Sequence, residues 1–315
     1  MRAAAPPSTS EGHRHTPRPA RRRRGRHVAQ HLVGWLFAAP AIAFYVAFVI
    51  IPLLHTLQYS LYRWDGIGPS TYVGLQNYAH LFSNSTLLKS ILNALKLIVF
   101  FSVIPVALGL LIASTIRRIA ASRLAGFARV IIFIPQVIPL VAAGIIWSWL
   151  LASNGLVNQV LAAFGLKHVT RAWLGDFTFA LPSVGVIGAW VLLGLCTLLL
   201  LAGMTKIDPE IYEAARLDGA GPVREFFAVT LPALRQEIGV CVTVTVIAAL
   251  ASFDIIYIST QGGPGNATMV PGYAIYYLAF FQREVGQASA LAVGLMILVL
   301  LFILPIQWLT RERKR

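Results

Sequence analysis

Residues 212–232 read YEAARLDGAGPVREFFAVTLP, a charged stretch punctuated by glycines in a chain that is otherwise strongly apolar. Just upstream, Asp208-Pro209-Glu210 supplies a good N-cap residue, a proline at the favoured first helical position and an acid in the first turn. A helix starting there carries Ile211, Ala214, Ala215 and Asp218 on roughly one face, and Gly219 falls where a left-handed residue ends it. A second helix begins near Pro222 and sets Val223, Phe226, Phe227 and Val229 to Leu231 mostly along one apolar side. Leu231-Pro232 then turns the chain away. The pattern predicts a short helix, a glycine turn and another helix.

The surroundings explain where such a unit would sit. Of the 315 residues, 57% are hydrophobic and only 12% charged, and the mean hydropathy is +0.72, which excludes an ordinary soluble domain. Six apolar windows, near 31–54, 90–113, 130–151, 179–204, 238–258 and 288–309, are each long enough to cross a bilayer core of roughly 30 Å. The third contains IPQVIP, whose prolines break or kink a helix. The quoted stretch lies between the fourth and the fifth.

Basic residues orient the chain. Twenty of the 26 lysines and arginines precede the first window, follow the sixth, or flank the loops between windows two and three and between four and five. The other six lie on the opposite side, so both termini and the quoted loop are expected in the cytoplasm. Anionic headgroups and this orientation bias account for the net charge of +14 without a nucleic-acid partner. Residues 1–27, with four arginines at 21–24, read as a disordered basic cytoplasmic tail. Residues 28–310 read as the membrane domain, with the loop at 205–235, and residues 311–315 as a basic cytoplasmic end. Cys196 and Cys241 fall inside apolar windows and give neither a disulfide framework nor a metal spacing.

Three readings compete for the loop. It can be an amphipathic pair lying on lipid. A DNA-reading unit fits worse, because the second helix offers Arg224 beside Glu225 and no basic face. As a docking knob for a soluble partner, Ala214 and Ala215 allow close approach, while Phe226 and Phe227 anchor the base.

The same residues resemble the signature of bacterial ABC importer permeases: Glu-Ala-Ala, three residues, Gly, nine residues, then Ile-x-Leu-Pro. Here Glu213-Ala214-Ala215 is followed by Gly219 and by Val229-Thr230-Leu231-Pro232, with valine in place of isoleucine. VGLQNYAHLF at 73–82, IFIPQVIP at 132–139, WLGD at 173–176, STQGGPGNATMV at 259–270 and GQASAL at 286–291 narrow the resemblance to carbohydrate importers of the maltose and glycerol-3-phosphate type. It implies an all-α polytopic membrane protein of the bacterial plasma membrane, with six transmembrane helices and a cytoplasmic helix-turn-helix coupling loop. It further implies a second homologous permease, an ABC ATPase dimer that uses ATP and Mg²⁺, and an extracellular solute-binding protein. Coupling to the ATPase would fall to Glu213, Ala214, Ala215, Asp218, Gly219, Leu231 and Pro232.

Other residues agree on separate grounds. The chain contains no G-x-x-x-x-G-K-[S/T], so it is expected to hydrolyse no ATP and to bind no cofactor itself. Gly262-Gly263-Pro264-Gly265 lacks the lysine of a phosphate cradle and reads as a tight outer turn, which the resemblance places near the solute entry. Sugars are held by hydrogen bonds and aromatic faces, and Asn93, Gln136, Trp147, Trp190, Ser252 and Asp254 are such residues in or beside the windows. Interfacial tryptophans and packing serines explain them equally well. An ion-coupled secondary transporter is the competing class. Its ionisable groups would have to be Lys96 and Asp254, each near the outer end of its window.

Orientation is testable with single cysteines in a version lacking Cys196 and Cys241. In intact cells an impermeant thiol reagent should label positions 68, 165 and 265 and spare 122 and 219. Labelling at 122 with none at 265 would reverse the topology.

Overall fold

The computed structural model describes residues 35, 37–119 and 122–310. The basic tail at 1–27, the start of the first window and residues 311–315 lie outside the described residues. The chain divides into two units, residues 1–53 and 54–315, and the packing that follows is that of the second.

In chain order, α1 (Phe37–Tyr59) is followed by the antiparallel pair β1 (Tyr62–Arg63) and β2 (Thr71–Tyr72), with Tyr62 opposite Tyr72. Next come α2 (Gln76–Ser83) and the long α3 (Ser85–Arg118), which starts at Asn84 because its side chain accepts from the N–H groups of Thr86 and Leu87. α4 (Arg123–Val137) and α5 (Leu140–Leu150) meet at 99°. Pro139 has no N–H and disfavours a helical residue before it, so Ile138 is extended at φ −73°, ψ 126°. The third apolar window is thus two helices, as the prolines predict. After α6 (Leu156–Ala163) come α7 (Ala180–Met204) and α8 (Pro209–Leu217). α9 (Pro222–Ala233) and α10 (Arg235–Leu250) are bent by 71°. The chain continues through α11 (Asp254–Ser259), α12 (Pro271–Tyr276) and α13 (Val285–Thr310).

Four helices, α1, α3, α7 and α13, are long and apolar enough to cross a membrane, and the two bent pairs bring the number to six if each is one span. The fifth window differs from its predicted 238–258. Helix α10 already starts at Arg235 and stops at Leu250, and Ala251-Ser252-Phe253 interrupt it before α11. Hydropathy misses the break because the residues on both sides are apolar. It lies where α12 packs in: a Cβ at Gly272 would come within 2.7 Å of the Ser252 carbonyl oxygen.

α3 and α7 form the centre of the packing. Gly185 and Gly188 let the Phe100 and Phe101 rings of α3 lie against the α7 backbone, and Gly109 returns the contact against Thr197 and Cys196. Small residues at such crossings bring backbones together where lipid supplies no hydrophobic drive between helices. Both phenylalanines sit in a π turn, Val99–Val103. From the same turn, buried Ser102 places its hydroxyl 2.7 Å from that of Thr245 on α10, so neither group is stranded in the apolar interior. One core cluster gathers Leu97, Phe101, Val184, Ile187, Ile256, Val270 and Leu291. A second, toward the α8–α9 end, gathers Val106, Leu110, Cys196, Leu200, Met204 and Leu234.

A Cβ at Gly188 would overlap the Phe101 ring, whereas nothing lies within 4 Å of one at Gly126. Gly188→Val should therefore destabilise the purified protein by about 1–3 kcal/mol, seen as a lower thermal midpoint in detergent. Gly126→Ala should leave the midpoint unchanged. Equal midpoints for Gly188→Val and the parent would refute the close α3–α7 contact.

Candidate functional site

The helix-turn-helix predicted at 208–232 is present, and the residues that delimit it act as their chemistry requires. The Asp208 carboxylate accepts from the Glu210 N–H at 3.0 Å, and Pro209 opens α8. Gly219 has φ +77°, and there the N–H groups of Gly219 and Ala220 fold back onto the carbonyls of Arg216 and Ala215 at 3.0 and 2.9 Å. No atom lies within 4 Å of a Cβ built on Gly219, so backbone conformation alone selects glycine. Pro222 then opens α9.

What the sequence did not reveal is how the unit is fastened. Tyr212, inside the motif, is 1% exposed. The Arg117 guanidinium carbon, near the end of α3, lies 3.4 Å from the centre of its ring, and its hydroxyl is 3.2 Å from Thr230 Oγ1 on α9. Neighbouring Arg118 donates from Nη2 to the Pro222 carbonyl at 3.2 Å. Arg216 Nε donates to Oε2 of buried Glu225 at 3.0 Å, joining α8 to α9. These contacts tie the two helices to each other and to α3. Phe226, Leu231 and fully buried Leu234 seat them on the second core cluster.

Two expectations about the second helix are corrected. Val223 and Phe227 face outward, at 72% and 61% exposure, and do not join Phe226 at the base. Residues Phe226–Thr230 form a π turn, whose wider spacing rotates Phe227 away while Phe226 and Thr230 stay inward. The reversal also comes at Leu234 and not at Leu231-Pro232; Pro232 is exposed and still helical. The outward surface therefore presents Ile211, Leu217, Val223 and Phe227 beside Glu213, Ala214 and Asp218, with Ala215 half-buried. Glu213 makes no ion pair among the described residues.

The other sequence candidates separate into groups. Asn93 is buried, and its amide nitrogen donates to the carbonyls of Ala267 and Met269 at 3.0 and 2.9 Å, fixing the 259–270 loop. Within that loop Gly262 and Gly265 adopt positive φ, and Thr268 Oγ1 lies 2.8 Å from the Gly263 carbonyl oxygen. This is the tight turn expected of Gly262-Gly263-Pro264-Gly265. Ser252 and Asp254 line one cavity of about 170 Å³ with Phe101, Gly188 and Leu140. Trp147 and Trp190 meet edge to face at 5.6 Å. Gln136 joins neither group. Gln136 Oε1, Trp147 Nε1 and Ser252 Oγ are buried with no hydrogen-bond partner among the described residues. In WLGD, the N–H groups of Thr178 and Phe179 hold the Asp176 carboxyl below the usual carboxylate range, with the Arg171 charge adding to the effect.

The chain matches a family described as the binding-protein-dependent transport system inner membrane component over residues 105–311. It is 35% identical to a probable ABC transporter permease protein, YurN, of Bacillus subtilis, over 85% of this chain and 92% of that one. It is 33% identical to the diacetylchitobiose uptake system permease protein NgcF of Streptomyces coelicolor, over 84% of this chain and 78% of the relative. It is likewise 33% identical to the trehalose/maltose transport system permease protein MalF of Thermococcus litoralis, over 86% and 90%. Its fold is similar to that of a chain in a bacterial ABC transporter involved in alginate import, with a TM-score of 0.79 at 21% identity over 93% of this chain and all of that one.

Removing the cation from above the Tyr212 ring should loosen the unit by about 0.5–2 kcal/mol, and removing the hydroxyl pair by about 1 kcal/mol. Arg117→Ala should thus raise protease cleavage within 205–235 several-fold, and Tyr212→Phe less, with cleavage at the 259–270 loop unchanged. Parent-like cleavage of Arg117→Ala would mean that the core alone holds Tyr212.

Proposed function

The chain belongs to the binding-protein-dependent transport system inner membrane component family, and from that premise we propose that its 205–235 loop is the cytoplasmic coupling element that docks into a separate ATPase subunit. The protein is a permease subunit of an ABC importer, and ATP hydrolysis belongs to another chain. One observation carries the coupling reading. A helical pair fastened to α3 through buried Tyr212 turns outward several apolar side chains and an acid, Glu213, that has no ion pair among the described residues. A pair lying on lipid would need no such attachment to the helical body.

In this reading α4 with α5 is one span and α10 with α11 is another, while α9 stays in the loop, giving six spans with both termini on the loop side as the basic residues require. Six spans form half of a pathway completed by a second, homologous permease, and an ATPase dimer sits beneath the two. Glu213 meets a basic group of the ATPase, and Ala214 and Ala215 let it approach. Asp218 and Gly219 set the turn, while Leu231 and Pro232 lead into the bend at Leu234. An extracellular binding protein delivers the solute, as supported by a neighbouring structure of an alginate transporter in complex with its periplasmic protein.

The solute is a sugar or related compound, by likeness to permeases for diacetylchitobiose and for trehalose and maltose. Ser252 and Asp254 at their cavity, with the Trp147–Trp190 pair, are the groups best suited to meet it. The Gly262–Gly265 turn lies toward the entry. Asn93 supports that turn through its amide nitrogen and also lines a cavity of about 360 Å³ with Lys89, Lys96 and Phe177.

Glu213→Ala removes one partner of an interfacial charge pair, a loss of about 2–5 kcal/mol when the pair is buried. Gly219→Val forces a β-branched residue into a left-handed conformation at about 1–2 kcal/mol or more, whereas Gly219→Asn should be tolerated. Both damaging variants should reach the membrane folded, yet lose solute uptake and retain less ATPase on purification. Normal uptake with normal ATPase recovery in both would sink the coupling reading.

A further inference from the structure

Beside the helix pair is a cavity of about 460 Å³ lined by Arg118, Arg216, Ala220, Pro222 and Glu225. Its walls come from four places: the end of α3, the last turn of α8, the glycine turn and the first turn of α9. The charges around it are unequal. Two guanidinium groups face one carboxylate, and Glu225 is already engaged by Arg216 Nε at 3.0 Å, with its side chain only 8% exposed. The Arg216 side chain is 60% exposed, and Arg118 is exposed as well, with one hydrogen bond, to the Pro222 carbonyl, among the described residues. Each guanidinium has five N–H donors in a planar fork, and these contacts use only a minority of them. The opening is therefore polar, net positive and rich in donors that match a carboxylate and have no partner among the described residues.

We propose that this cavity is a socket for one acidic side chain of the ATPase subunit, seated between Arg118 and Arg216. The inference rests on the docking reading above and adds a second contact to it. On the outward face of α8 the permease offers an acid, Glu213; at this cavity it offers bases. Two contacts of opposite sign, side by side, fix the orientation of the partner, because a rotated partner would set like charges against each other. The socket also places the ATPase against Arg118, at the end of the helix that carries the α3–α7 packing.

The experiment uses the assembled transporter, purified through a tag on this chain after co-production with its partner subunits, and measures the ATPase retained at low and at high salt. Arg118→Glu should weaken retention by about 30-fold or more, and Arg118→Lys, which keeps the charge and loses the fork, by less. Ala220→Trp should also weaken it by filling the cavity without a change in charge. Arg123→Glu, an exposed arginine outside the lining, should have little effect. Changing the acids of the ATPase docking groove to lysine one at a time should identify a single position that restores retention by Arg118→Glu. Parent-like retention by Arg118→Glu or by Ala220→Trp would overturn the socket, as would an equal loss for Arg123→Glu, which would indicate a diffuse field. If the parent chain itself retains no ATPase at any salt concentration, the docking reading fails, not the socket alone.

Discussion

A guanidinium 3.4 Å above a buried phenol ring joins the helix pair to the rest of the protein. Helix α8 has nine residues, below the roughly 12–15 at which an isolated helix becomes even marginally stable in water. Its order must come from what it touches. Tyr212 supplies the buried surface, and Arg117 covers the ring with a group that is flat, always charged and weakly hydrated. The Tyr212 hydroxyl reaches α9 through Thr230, so a single side chain contacts α3, α8 and α9. Take that interaction away and the ties that remain among the described residues are the Tyr212–Thr230 hydroxyls, Arg118 to a carbonyl, the Arg216–Glu225 ion pair and the apolar seat of Phe226, Leu231 and Leu234.

The same helix serves both ends of the structure. α3 is 34 residues long, and near its start Asn93 holds the 259–270 loop by two carbonyls. Its middle is locked to α7 by glycines and to α10 by the Ser102–Thr245 hydroxyls. Its last turn carries Arg117 and Arg118. A displacement of the helix pair would therefore act on a continuous rod that bears the 259–270 loop near its other end. Close packing makes such a rod shift as a unit, since a dense interior does not absorb strain gradually.

What could be read from the sequence was what is encoded within a few residues. Asp208, Pro209 and Gly219 fix α8 by a cap, a pre-set φ and a positive φ, none of which needs a partner elsewhere. Pro139 announces the bend between α4 and α5 in the same way, whereas Pro135 stays inside α4. Tyr212 gave no such sign, because its burial depends on Arg117, far away in the chain. The outward turn of Phe227 depends on a π turn that helical periodicity does not foresee. The break at Ala251-Ser252-Phe253 is invisible to hydropathy, as the residues around it are equally apolar. For the solute path, residue type was informative where position was not. Gln136 and Ser252 are candidates for their polar atoms and Trp147 for its ring; Gln136 Oε1, Trp147 Nε1 and Ser252 Oγ are buried without partners among the described residues, and only packing shows that the Asn93 amide nitrogen is engaged by backbone carbonyls.

Leu217, Val223 and Phe227 are 89%, 72% and 61% exposed on a loop read as lying in water. Apolar area left wet costs about 25 cal/mol per Å² relative to burial. If the ATPase docks there as proposed, it would cover part of that area and favour the folded state of the permease by mass action, by an amount that grows logarithmically with the free concentration of its partner. The survival of each newly made chain would then depend on how much of the other subunit the cell has made. A surface proposed for transmission would thereby also set the ratio of the two.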